Sequence, residues 1–168
     1  FECRIKPNQG RDFSAYCIAA RDIYDKYDYV CCLKDKKAPH TSYLAAESFD
    51  KQCWDSVLFS RDYVNNCLRL FYDHHSAGMI FSPPPNFGPY TALGNEMSKD
   101  RQHVLYLWKE LKLQIPQEES DLIAPFGSIF WIKSAAIRTM LSHHWTYEEM
   151  PAEPIGPDGT LLHGLERI

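Results

Sequence analysis

Residues 27 to 37 read YDYVCCLKDKK. Tyr29, Val30, Cys31, Cys32 and Leu33 suit a strand in a sheet core. Lys34, Asp35, Lys36 and Lys37 follow at once, one acid among three bases. Upstream, Phe13, Cys17, Ala20, Tyr24 and Tyr27 recur at helical spacing, which predicts a helix over about residues 13 to 26. Before it, the turn PNQGRD (7 to 12) carries Pro, Asn and Gly, with Asp12 placed to cap the helix. FECRI (1 to 5) alternates and reads as another strand. Strand, helix and strand within about 33 residues have the size of a βαβ unit, which argues for an α/β domain.

The rest of the chain continues the alternation. Residues 34 to 46 read as a loop. Phe49, Cys53, Val57, Val64, Cys67, Leu68 and Phe71 keep mostly to one face, which predicts one long helix. AGMIFSPPP (77 to 85) is a short strand stopped by three prolines, which cannot continue a ladder. Residues 86 to 97 form a loop, and Val104, Trp108, Leu111 and Ile115 mark a helix. GSIFWIK (127 to 133) is a compact apolar strand, with Ser134 able to cap a helix to about Ser142. PAEPIGPDG (151 to 159) is irregular, and Leu161, Leu165 and Ile168 share one face of a final helix. There are no repeats, low-complexity tracts or linkers, so residues 1–168 are expected to form a single α/β domain.

Composition narrows the function. The 168 residues are 45% hydrophobic, 14% aromatic and 24% charged, a globular balance. A net charge of -4 gives no basic field to recruit nucleic acid. No apolar run approaches the roughly 20 residues that span a bilayer. No leader pattern precedes Phe1, so the chain reads as the C-terminal portion of a longer module. The six cysteines all lie within the first 67 residues, most in apolar settings. They read as free thiols of a reducing compartment. Cys31, Cys32 and His40 suit zinc poorly, because adjacent strand residues point to opposite faces. The histidine doublets 74–75 and 143–144 read as solvated helix ends.

In an open α/β sheet, ligands bind beyond the carboxyl ends of the strands. Three polar clusters have such positions: Asn8, Gly10, Arg11 and Asp12; Lys34, Asp35, Lys36 and Lys37; and Glu153 with Asp158. Each also has a plainer reading, as a capped turn, a solvated turn and a helix cap. Together they meet the needs of a sugar-nucleotide site. Such a site requires cations for a diphosphate leaving group and a carboxylate to take a proton from an acceptor hydroxyl.

The stretches PNQGRDF, YDYVCCLKDKK, FGSIFWIKSAAI and EPIGPDGTLLHGLERI occur in the order found in the rhamnan synthesis protein F family, which this chain resembles from residue 7 to its last residue. The closing stretch is the most specific. The resemblance implies a glycosyltransferase of bacterial cell-surface polysaccharide synthesis. Its fold would be a Rossmann-like GT-A type sheet flanked by helices, with the N-terminal strands outside this chain. It implies a nucleotide-sugar donor, plausibly carrying rhamnose, and a glycan or lipid-linked glycan acceptor. It also implies a cytoplasmic location, with peripheral association at the inner face of the membrane.

By the same resemblance Asn8, Arg11 and Asp12 lie on the donor side, with Asp35, Lys36 and Lys37 near the diphosphate. Gly127, Ser128 and Trp131 line the acceptor side. Asp158 is the catalytic base, with Glu153 as runner-up. Asp35 and His163 are the candidate ligands for magnesium or manganese. Lys37 stands where the fold usually has a second acid, and one carboxylate among ammonium groups is a poor cage for either ion. The lysines could balance the diphosphate themselves. His163 could equally bond Arg167, one helical turn on, and Glu166 could pair with Arg167. A non-catalytic carbohydrate-binding or assembly module is the alternative to an enzyme. Nothing resembles a Walker loop, which disfavours a nucleotide hydrolase.

Overall fold

The computed structural model describes residues 1–35, 42–83, 100–114, 124–125, 127–156 and 159–168. The expectations for Lys36, Lys37, His40, Ile115 and Asp158, and for the loop 86 to 97, fall outside the described residues. The chain divides into two compact units, each assembled from separated stretches. One comprises Phe1–Lys26, Asn95–Ala124 and Ile137–Ile168, the other Tyr27–Gly94 and Pro125–Ala136.

The second unit holds a three-stranded sheet of β1 (Tyr29–Cys32), β2 (Met79–Phe81) and β3 (Phe130–Lys133). The order is β1-β3-β2, and both pairings are antiparallel. Cys31 and Ile80 flank Trp131, while Cys32 and Phe81 flank Phe130. Two helices accompany the sheet: α2 (Tyr43–Leu58) and α3 (Arg61–Asp73). They replace the single long helix expected from the apolar stripe. Ser60 adopts an extended backbone and its hydroxyl accepts from the Tyr63 amide, so it starts α3 afresh.

Alternate residues of β3 serve two purposes. Phe130 and Ile132 are buried in the core. Trp131 and Lys133, on the opposite face, secure helix ends. The Trp131 indole N–H donates to the Val57 carbonyl in the last turn of α2, at 2.9 Å. Lys133 Nζ donates to the carbonyl of His75, at 2.9 Å, just past α3, and lies over the Phe71 ring. Both meet the need of carbonyls near a helix C-terminus for donors and positive charge. Tyr29 stacks on Phe71 with ring centroids 5.2 Å apart. Ser134 does not cap its helix: its hydroxyl donates to the Tyr27 carbonyl and its amide to that of Asp28, joining β3 to the start of β1.

The expected βαβ unit does not form. Residues 1 to 5 make no strand, and Phe1 and Ile5 are fully exposed. Their alternation finds no ladder partner, and Arg4 turns instead to Asp22 and the Ala19 carbonyl. The predicted helix is present but irregular. It runs as α1 (Arg11–Ser14), a π-helical turn (Ala15–Ala19) and a 3-10 turn (Arg21–Ile23), with Phe13, Tyr16, Cys17 and Tyr24 buried. Asp12 lies inside the first turn, and the cap position belongs to Gly10. The architecture is therefore mixed helix and sheet, with a small antiparallel sheet where a parallel crossover was expected.

The first unit also contains α4 (Arg101–Glu110), a 3-10 turn (Tyr147–Glu149) and α6 (Leu161–Glu166). Helix α5 (Ser134–Ser142) begins directly after β3. Helices α4 and α6 pack through Val104, Leu107, Leu162 and Leu165, all buried. Gly164 permits the approach, because a Cβ there would stand 2.7 Å from His103 Cβ. The cap of α6 is Thr160. His143 and His144 are not simple solvated ends: His143 bonds Glu149 at 2.7 Å and lies tilted against the Trp145 ring, and His144 meets Arg21. Among the described residues, no helix is long and apolar enough to cross a membrane.

Candidate functional site

The first unit gathers several of the residues singled out in the sequence. Gly10 takes a left-handed backbone, φ 67°, and so does Arg11, φ 42°. Positive φ is unusual for a residue with a side chain and tends to persist where its surroundings enforce it. Here the enforcement comes from the loop that begins at Met150. The Gly10 amide donates to the Pro151 carbonyl at 3.1 Å, and Gln9 bridges to Ala152. A Cβ on Gly10 would lie 2.8 Å from Met150 Cβ and 2.9 Å from Ser14 Cβ, so only glycine fits. The π-helical turn follows directly, a feature that often accompanies functional positions.

Arg11 reaches across to this loop. Its Nε donates to Glu153 Oε1 at 3.0 Å and its Nη2 to the Ile155 carbonyl at 2.7 Å. Glu153 Oε2 accepts from the Ile155 amide at 2.8 Å. The Arg11 guanidinium, then the Ile155 amide, hold the Glu153 carboxyl below the usual carboxylate range. Lys6 binds the carbonyls of Pro7 and Gln9 on the same turn, and partial burial lowers its pKa. Arg11 and Glu153, 142 residues apart, thus form one constellation, with Asp12 beside Arg11 in α1 and Asn8 exposed on the turn. Asn8, Arg11 and Asp12 were read from sequence as a group; the partnership of Arg11 with Glu153 was not.

A second constellation joins α4 to α6. Asp100 is fully buried and its Oδ1 accepts from the Gly159 amide at 2.8 Å. Its Oδ2 lies 3.1 Å from Arg167 Nη2, whose side chain is only 10% exposed. His103 Nε2 meets the Gly159 carbonyl at 3.1 Å. Gly159 has φ 75°, a left-handed turn that favours glycine. Thr160 Oγ1 and His163 Nδ1 share a hydrogen bond of 2.7 Å, and Arg167 Nη1 donates to the His163 carbonyl at 2.8 Å. Glu166 does approach Arg167, at 3.8 Å, but Asp100 is the nearer partner. Removing one member of such a buried pair costs on the order of 3–5 kcal/mol. Sequence reading did not single out Asp100. Its burial and its partner 67 residues on are tertiary facts.

The other residues singled out lie in the second unit. Gly127 (φ 86°) and Ser128 (φ 53°) form a buried left-handed turn before β3, closed by the Ser128 amide on the Pro125 carbonyl at 2.7 Å. Trp131 is half-buried with its N–H committed to α2. Asp35 is exposed, three residues past β1. Among the described residues, no three His, Cys, Asp or Glu side chains gather where they could hold a metal ion. His163 Nδ1 is already engaged by Thr160. The six cysteines are free thiols, four of them buried, and burial pushes the Cys31 thiol up to about 12.

A family model described as rhamnan synthesis protein F matches residues 1–168. Among curated proteins, the uncharacterized protein WxcX of Xanthomonas campestris pv. campestris is 27% identical over 96% of this chain. The chain spans 22% of the length of that relative. No solved structure matches the chain.

Proposed function

The chain belongs to the rhamnan synthesis protein F family, and from that membership we propose that it forms part of a glycosyltransferase of cell-surface polysaccharide synthesis. In this reading the donor is a nucleotide sugar carrying rhamnose, which the rhamnan in the family's name supports, and the acceptor is a growing or lipid-linked glycan. A GT-A type fold and action at the cytoplasmic face of the membrane go with this reading. The observation that carries it is the family match over the whole chain, which takes in both the NQGRD turn and the PDGTLLHGLER stretch.

The chemistry is a single displacement. Asp158 takes the proton of the acceptor hydroxyl as its oxygen bonds to the anomeric carbon. The bond from that carbon to the phosphate oxygen breaks, and its electron pair leaves with the nucleoside diphosphate. Arg11 supplies positive charge on the donor side, with Asn8 and Asp12 beside it in the sequence. Glu153 has the task of holding Arg11, because a carboxyl with a lowered pKa is a weak general base near neutral pH.

The test is sugar transfer by the full-length protein from nucleoside-diphosphate rhamnose to a lipid-linked glycan. The expected product has the opposite anomeric configuration to the donor, and Asp158→Asn should slow transfer by about 100-fold or more. Retained configuration, or full transfer by Asp158→Asn, would overturn the base assignment. Glycan binding without nucleotide binding or transfer would favour a non-catalytic module.

A further inference from the structure

The second unit sets two thiols against each other. β1 and β2 both run antiparallel to β3, so they share one direction. α3 leads into β2 through the short connection 74 to 78, and so crosses the sheet against the direction of β1. Tyr29 of β1 stacks on Phe71 of α3, which fixes the register of strand on helix. Forward along β1, the next residue on that face is Cys31, about 7 Å further on. Back along α3, the next residue on the facing side is Cys67, four positions or about 6 Å earlier. The two steps nearly match, so Cys31 falls opposite Cys67. Two observations agree with this register. Cys67 is only 2% exposed, so its side chain is turned inward. Burial, then the neighbouring Cys32 and then Cys67, push the Cys31 thiol up to about 12, so the Cys67 sulfur is near enough to be felt at Cys31. Cys32 lies on the opposite face of the sheet, across from the buried Phe130.

We propose that Cys31 and Cys67 form a reversible disulfide site, which ties β1 to α3 when the surroundings become oxidising. The co-reactant is a small-molecule disulfide such as glutathione disulfide. Cys31 is the entry point, because it is partly exposed while Cys67 is buried. Its thiolate attacks one sulfur of glutathione disulfide, forms a mixed disulfide and releases one glutathione thiolate. The Cys67 thiolate then attacks the Cys31 sulfur and expels the second glutathione. The two protons lost by the cysteines end on the two glutathione thiolates. Two protein thiols are thus oxidised as one glutathione disulfide is reduced. Burial keeps both thiols protonated, so the exchange is slow. Thiols of high pKa are also poor leaving groups, so the bond opens slowly once made.

The experiment equilibrates the native full-length protein with excess glutathione disulfide for hours, quenches with acid, blocks the remaining thiols and maps the peptides by mass spectrometry. The expected product joins the peptide of Cys31 to that of Cys67, with the mass of the two peptides less two hydrogens. Fragmentation between Cys31 and Cys32 should place the bond on Cys31, and dithiothreitol should reverse it. Cys32→Ser should leave the link intact, and Cys67→Ser should stop at the glutathione adduct of Cys31. A wild-type adduct on Cys31 that never closes would overturn the site, because the second thiol would then be out of reach. A link from Cys32, a link from Cys31 to any other cysteine, or an unmodified Cys31 would overturn it too. The wild-type map decides each of these outcomes even where a variant fails to fold.

Discussion

Replacing Gly164 by alanine adds one methyl group where α6 crosses α4. The new Cβ would lie 2.7 Å from His103 Cβ, 3.2 Å from the His103 carbonyl carbon and 3.2 Å from Leu107 Cδ1. Carbon atoms prefer about 3.5–4.0 Å. Leu107 can swing its methyl group away, but the two His103 atoms belong to or adjoin the backbone of α4. The helices must therefore separate by several tenths of an ångström, against the Asp100–Arg167 pair that draws them together. Overpacking of this kind costs about 1–3 kcal/mol, and the backbone position of the clash argues for the upper part of that range. The helix preference for alanine over glycine offsets about 1 kcal/mol. The net loss is about 1–2 kcal/mol, or roughly 2–8 °C in Tm for a chain of this size. Thermal unfolding followed by circular dichroism measures it. His103→Gly removes the closest of these contacts and leaves the two at 3.2 Å, so in that background the penalty of Gly164→Ala should shrink. A Gly164→Ala chain as stable as wild type, or a penalty undiminished without His103 Cβ, would refute the close crossing.

Three further outcomes follow from the geometry. Trp131→Phe keeps a smaller aromatic ring but leaves the Val57 carbonyl without its donor, so stability should fall by at least about 1 kcal/mol; unchanged denaturant midpoints would count against that bond. Cys3 is exposed, whereas the other thiols are buried or, like Cys31, raised by burial. In a native thiol titration at about pH 8, Cys3 should react first and Cys3→Ser should abolish the fast phase; a surviving fast phase would contradict this. The Glu153 carboxyl is held below its ordinary value of 4.5 by Arg11, so its contribution is complete above that value and is lost as pH falls through the lower folded one. The stability advantage of wild type over Glu153→Gln should therefore shrink between about pH 6 and about pH 3; an advantage that grew on acidification would reverse the sign.

What could be read from the sequence was local. Strands β1, β2 and β3 were visible as short apolar runs, and the prolines after Phe81 marked the end of β2. Helix α5 and the irregular loop before α6 were visible for the same reason. The break at Ser60 was masked because the apolar stripe continues in phase from Val57 to Val64 across it. Strand direction was not legible at all: a strand–helix–strand spacing says nothing about whether the first segment finds a partner. The candidate site divides in the same way. Asn8, Gly10, Arg11 and Asp12 stand out as a turn, but Arg11 finding Glu153, and Asp100 finding Arg167, depend on loops closing over long distances. Acids and bases are too common for sequence to pick those pairs.

The central strand also sets a schedule for synthesis. β3 pairs with β1, and their partnered residues lie about a hundred positions apart along the chain. At about 5–20 residues per second, a ribosome needs about 5–20 s to bridge that gap. During that interval Tyr29–Cys32 has no β3 to lie against, and β2 can join the sheet only through β3. The first unit waits similarly, since Asp100 meets Arg167 only 67 residues later. An arrest of translation before residue 130 would leave both units without their closing strand or helix. The nascent chain then presents unpaired strand edges, which are sites for aggregation and for chaperones that recognise extended apolar segments.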